Sequence, residues 1–207
     1  MTFAELKIKV ADWMQRTDLD AVTGDFINLA MHKIERAFNF NCMMAIETGT
    51  ISTDLIPEPT RYQEVKTLMM TINSQQIYLP KLTYPALLAS FPYGSTLTGS
   101  PEAFAYKPSA STLVIRPYPN TSYDYELVYW ATTQDLTSDS DTNWWLTNAW
   151  ELLMYGALVE GMNYIVDSER LPVWQQRYNE TLAEYIMNER NEEFSGIQSV
   201  TTNYGEV

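Results

Sequence analysis

The chain reads as an α+β protein, mainly an α-helical bundle carrying an inserted antiparallel β module, and three observations predict this. Apolar residues recur at helical spacing at both ends of the chain but alternate in the middle. Prolines and β-branched residues gather between about residues 41 and 141, where they exclude long helices. A stretch from about Asn143 to Val166 is apolar nearly all round, as befits a central helix. The predicted organisation is therefore 1–40 and 142–194 forming one helical bundle, 41–141 forming the β-rich insertion, and 195–207 forming a flexible tail.

Thr2-Phe3-Ala4-Glu5 fits a capping box, with Thr2 as N-cap and Glu5 reaching back. Phe3, Leu6, Val10 and Trp13 then form the inner face of a first helix ending near Arg16. After the polar break Thr17 to Asp20, a second helix runs from about Thr23 to Phe38, with Phe26, Leu29, Ala30, Ile34 and Ala37 inward. Around Thr48 to Thr53 the composition favours strand. Val65 to Ile72 and Gln76 to Leu79 pair as a hairpin about Asn73-Ser74. Thr83 to Ala89 makes one short helix, since Pro85 suits a first turn, and Gly94 to Ser100 is a flexible loop.

Three further strands follow, one through Phe104 and Tyr106, one from Thr112 to Arg116, and one from Tyr123 to Trp130. In the last, Tyr123, Tyr125, Leu127 and Tyr129 share one face while Asp124 and Glu126 share the other, so one side is wet. The long helix from Asn143 to Val166 carries Gly156 and Gly161, which let another backbone approach closely; Trp145, Leu153, Gly156 and Gly161 are its candidate subunit-packing positions. Asp167-Ser168-Glu169 turns the chain into a final helix with Leu171, Trp174, Tyr178, Leu182 and Tyr185 on one stripe. Beyond Phe194, the polar tail with isolated apolar residues should be disordered on its own.

Composition narrows the function. The 207 residues are 45% hydrophobic and 13% aromatic, well above a disordered chain. Tyr (14) and Trp (6) suit broad contact surfaces or the core of a small sheet. Net charge is −13, and between Pro117 and Glu169 there is no Lys or Arg at all. Such a surface disfavours tight nucleic-acid binding by counterion release and also keeps a protein soluble. One cysteine, Cys42, excludes an intrachain disulfide or a Cys-rich zinc site. No signal-peptide pattern opens the sequence, and its longest apolar run falls short of a membrane span. A soluble, non-secreted protein is expected.

Chemistry is sparse. His32, the sole histidine, sits in the second helix beside Lys33 and Arg36 and reads as a partly exposed helix residue; histidine-pair metal sites are excluded. Cys42 has no evident base to activate it. Asp139-Ser140-Asp141-Thr142-Asn143 imitates the start of a calcium loop. Trp144 and Trp150 fall where that loop needs its glycine and its glutamate, so a helix N-terminus is the better reading. Carboxylates are plentiful, but nothing pairs them for glycosidic chemistry. Neither a catalytic residue, a cofactor nor a metal ligand is assigned, and enzymatic activity is not expected.

An ordered series of landmarks identifies a resemblance. It comprises the N-terminal hairpin, Ile56-Pro57 followed by Tyr62 and Val65, and Gly99-Ser100-Pro101 with Phe104 and Tyr106. Leu113 to Pro119 then leads into Leu127 to Trp130, and Leu136, the Asn143 helix start, Tyr155-Gly156-Ala157-Leu158 and the Trp174–Tyr178 helix complete it. Across nearly the whole chain it resembles the head–tail adaptor (connector) proteins of short-tailed bacteriophages; Glu58-Pro59 departs from the expected turn. The resemblance implies a structural virion protein made in the host cytoplasm and assembled as a dodecameric homo-oligomeric ring. Its partners would be the portal protein on one side and a tail or nozzle protein on the other. DNA would pass through the channel without specific binding, and no membrane is involved. A C-terminal segment would dock on the portal, with Phe194, Ile197, Val200 and Tyr204 as its apolar contacts. The alternatives are another neck or tail subunit, nozzle or tube, and a carbohydrate-binding β module whose tyrosines stack on sugars.

Overall fold

The computed structural model describes residues 1–92 and 96–195 (side chains to 192) and has an α+β fold. Among the described residues there are six helices: α1 (Phe3–Met14), α2 (Asp20–Ala37), α3 (Tyr84–Ser90), α4 (Trp144–Asn148), α5 (Trp150–Tyr164) and α6 (Leu171–Ser195). There are nine strands: β1 (Met44–Ile51), β2 (Leu55–Pro57), β3 (Tyr62–Ile72), β4 (Gln75–Tyr78), β5 (Thr98–Gly99), β6 (Ala103–Lys107), β7 (Thr112–Arg116), β8 (Tyr118–Pro119) and β9 (Tyr123–Ala131). The chain divides into two compact units, one built from Met1–Cys42 with Gln134–Val207, the other from Met43–Thr133.

In the helical unit, α1 begins at the expected capping box: the Glu5 N–H donates to Thr2 Oγ1 at 3.3 Å and the Thr2 N–H donates to Glu5 Oε2 at 2.8 Å. α1, α2 and α6 all pack on α5, which buries nine residues including Leu152, Leu153 and Leu158. Two expected faces are corrected. α2 turns Phe26, Ile27, Ala30, Met31 and Ile34 inward, leaving Leu29 41% exposed and Ala37 at the surface. The buried stripe is wider than a three-and-four spacing from Phe26 suggests, because two helices flank α2. Trp13 also stays 44% exposed, its indole lying against Tyr155 and Trp174 (ring centroids 6.4 and 5.5 Å).

The expected single helix from Asn143 is broken. Ala149 adopts φ −138° and ψ 34°, separating α4 from α5. Asn143 is the N-cap of α4, its side chain accepting from the Leu146 N–H at 2.9 Å. The carbonyl of Asn148 left free by the break accepts from the Tyr185 hydroxyl of α6 at 2.9 Å.

The β unit has a four-stranded antiparallel sheet, order β1-β9-β3-β4, and a three-stranded antiparallel sheet, order β2-β7-β6. The β3–β4 hairpin turns at Asn73 and Ser74, both at positive φ (53° and 62°), the twist-matched geometry that a two-residue hairpin favours. Ile56, Leu68, Met70, Phe104, Leu113 and Leu127, all at most 2% exposed, pack between the two sheets. α3 closes the far side of the smaller sheet, with Leu87 against Ala103, Ala105 and Val114. Part of the expected loop 94–100 is ordered instead: Thr98–Gly99 pairs in parallel with Tyr118–Pro119.

Candidate interaction surfaces

Three groups flagged for chemistry are engaged in structural work. His32 Nε2 lies 2.8 Å from Asp135 Oδ1, and its Nδ1 lies 4.0 Å from Glu35 Oε2. Glu35, 1% exposed on α2, accepts a hydrogen bond at 3.0 Å from the Trp145 indole N–H. A carboxylate buried this deeply needs such partners. This network was not legible in the residues, because its two halves, His32 with Glu35 and Asp135 with Trp145, lie about a hundred positions apart. Burial pushes the Cys42 thiol up to about 12, with the charges of Glu189 and Glu35 acting the same way. A thiol held protonated is a poor nucleophile.

The acidic loop before α4 is spent internally. Asp141 Oδ2 accepts from the Thr137 and Ser138 N–H groups, both at 2.8 Å, which holds its carboxyl below the ordinary range. Asp139 pairs with Lys7 of α1. Among the described residues no group of three His, Cys, Asp or Glu side chains comes together to hold a metal. The segment leading into this loop is pinned to α2 by one side chain: Asn28 donates to the Leu136 carbonyl at 2.9 Å and accepts from the Leu136 N–H at 3.0 Å.

The four helix positions read as subunit-packing sites face the chain's own core. Trp145 and Leu153 are 0% exposed, the former edge-on to Phe40 at 5.1 Å. A methyl group at Gly156 would stand 2.8 Å from Ala30 Cβ of α2 and 3.3 Å from the Tyr178 ring of α6. One at Gly161 would stand 2.6 Å from Met14 Cε of α1. The glycines do permit close approach, as expected, but of neighbouring helices in the same chain. Phe194 falls within α6 with its side chain outside the described residues, and Ile197, Val200 and Tyr204 lie wholly outside them.

What the fold exposes is more informative than what it buries. No helix among the described residues is long and apolar enough to cross a membrane. Four large exposed apolar side chains of the β unit lie on the two outer strands of the four-stranded sheet: Met44 (45%) and Ile46 (60%) on β1, Ile77 (41%) and Tyr78 (67%) on β4; Leu55, Leu88 and Leu97 are exposed elsewhere. The sequence had marked Ile77 and Tyr78 as strand, but not Met44 or Ile46, and could not say which strands would end the sheet. Helix α6 has no buried residue from Leu171 to Glu192; its stripe of Leu171, Trp174, Tyr178, Leu182 and Tyr185 is only half-covered.

No curated protein matches the chain. Against known families, the match is to SU10 adaptor protein, over residues 1–201. The chain therefore belongs to the SU10 adaptor family, a family of phage head–tail adaptors.

Proposed function

We propose that the chain is a connector subunit that joins the portal to the tail as a dodecameric ring and extends the DNA exit channel. The observation that carries this reading is the family match over almost the whole chain. The physical properties agree with it. A net charge of −13 suits a passage through which DNA slides without sticking. The helical unit has a rigid centre in α5 and a long, half-covered α6 at its surface.

In this reading the C-terminal segment carries the portal contact, with Phe194, Ile197, Val200 and Tyr204 as the apolar residues that engage it. A segment that orders on its partner brings apolar anchors spaced along a polar chain, and Ser195 to Val207 has that composition. The distal side of the ring receives the tail or nozzle protein.

Sedimentation of the purified chain with the portal ring of the same virus tests the reading. One copy per portal subunit entering the portal peak is the expected result. Failure to co-migrate, with rings or tubes formed by the chain alone, would move it to another part of the tail. Deleting residues 195–207 should leave the circular dichroism and melting of the chain unchanged while weakening portal attachment; unchanged attachment would remove the tail contact but leave the adaptor role.

A further inference from the structure

The two sheets of the β unit treat their edges in opposite ways. In the three-stranded sheet one edge is cut short and the other is covered. β2 is only three residues long and ends in Pro57, and the outer side of β6 is taken by the segment at residues 80–82. There the Leu82 N–H donates to the Phe104 carbonyl at 2.8 Å and the Phe104 N–H donates to the Pro80 carbonyl at 3.1 Å. Among the described residues the four-stranded sheet has no such cover. β1 runs for eight residues and pairs only with β9, and β4 pairs only with β3.

Soluble proteins blunt free edges with lysine, proline, bulges or inward charges, because an open row of N–H and C=O groups recruits another strand. β1 contains no lysine, arginine or proline, and its one charged residue, Glu47, accepts a hydrogen bond from Tyr125 on the neighbouring β9 at 3.1 Å. β4, Gln75-Gln76-Ile77-Tyr78, carries no charge at all. Both edges also display large apolar side chains, Ile46 at 60% and Tyr78 at 67% exposure. The same chain thus offers two different open edges, one on each side of one sheet, neither carrying lysine, arginine or proline and both displaying large apolar side chains.

From this we infer that β1 of one copy pairs with β4 of the next, so that the four-stranded sheets join edge to edge between subunits. Pairing unlike edges is a heterologous contact, which propagates from copy to copy and closes when the rotation between copies closes. The inference deepens the ring reading above and rests on it. It assigns the subunit contact to the β unit, whereas the buried face of α5 has no surface left to offer.

The test uses virus particles assembled with the full-length chain in a Cys42→Ser background. Chains carrying both Ile46→Cys and Tyr78→Cys, two positions on the same face of the sheet, treated with a short bis-maleimide, should give a ladder of multimers on a denaturing gel. Particles containing a mixture of the two single-cysteine chains should give dimers, and Ile46→Cys alone should give none. Dimers from Ile46→Cys alone would mean that like edges meet, and would overturn the inference. So would particles that contain the chain but give no ladder, or that give only a cross-link to a protein of different mass. Absence of the unmodified chain from particles would instead overturn the ring reading, and this inference with it.

A second measurement does not depend on cross-linking. Ile46→Lys and Ile77→Lys should each lower the amount of chain per particle about tenfold or more. Leu55→Lys, on the short, proline-ended edge strand β2 and at 45% exposure, should leave it unchanged. Equal incorporation of all three, with the folded monomer intact by circular dichroism, would also overturn the inference.

Discussion

Helices α5 and α6 are neighbours joined by a short turn, both carrying aromatic and aliphatic side chains, yet they occupy opposite physical situations. Nine of the fifteen residues of α5 are buried, and its two glycines admit α1 and α2 to contact distance. None of the residues of α6 from Leu171 to Glu192 is buried. The difference teaches that hydrophobic content alone does not rank two helices. α5 is walled by three helices, whereas α6 rests on the unit by a single stripe, so the same leucine has a different worth in each.

The sharpest way to break that comparison is one truncation made in both places. Leu153→Ala on α5 should cost about 2–5 kcal/mol, because the side chain is 0% exposed and its neighbours can collapse only partly. Leu182→Ala on the half-covered stripe of α6 should cost about 1 kcal/mol, in proportion to the smaller area it removes from water. Urea unfolding of both variants reads the two values; equal costs would erase the distinction.

Between these lies the glycine contact. Gly156→Ala should destabilise by about 1–3 kcal/mol, since the new methyl meets Ala30 Cβ at 2.8 Å and neither atom can swing away. Adding Ala30→Gly should restore much of the loss, and a double-mutant cycle measures how much. At Gly161 the obstructing atoms are the flexible end of Met14, so Gly161→Ala should cost less than Gly156→Ala.

The smallest expected effect concerns alkaline pH. Burial first, and the charge of Glu160 second, raise the Tyr178 hydroxyl above its ordinary value of 10.0. The folded state therefore favours neutral Tyr178. That contribution is fully present below pH 10 and is lost as pH rises above it, where the unfolded chain releases the proton first. Replacing Tyr178 with Phe should flatten the fall in stability between about pH 9 and about pH 11, seen as a smaller shift of the urea midpoint. An unaltered slope would place the alkaline sensitivity on the other raised groups, among them Tyr62 and Tyr125, which burial raises to about 12.

Several of these features were legible in the residues themselves. Thr2 and Glu5 announced the first helix, Asn73-Ser74 the hairpin, and Asn143 the start of α4, because each signal acts within one or two turns of chain. Features set by distant partners were not legible. The break at Ala149 follows no glycine or proline; it is accommodated by Tyr185, whose hydroxyl satisfies the Asn148 carbonyl that the break exposes, thirty-seven residues earlier in sequence. The outward position of Leu29 depends on where α5 lies against α2. The apolar character of Ile46 and Tyr78 was plain, but only the strand order reveals them as edge residues. In the same way the burial of Glu35 and its contact with Trp145 required two helices to meet.

The contact between Gly156 and Ala30 also bears on how this protein can change over generations. With 2.8 Å available, the two sites together hold one methyl group, not two. A lineage that gains a side chain at position 156 should therefore show a glycine at position 30, or a displaced α2. The pair should drift as a unit even where the rest of both helices varies freely.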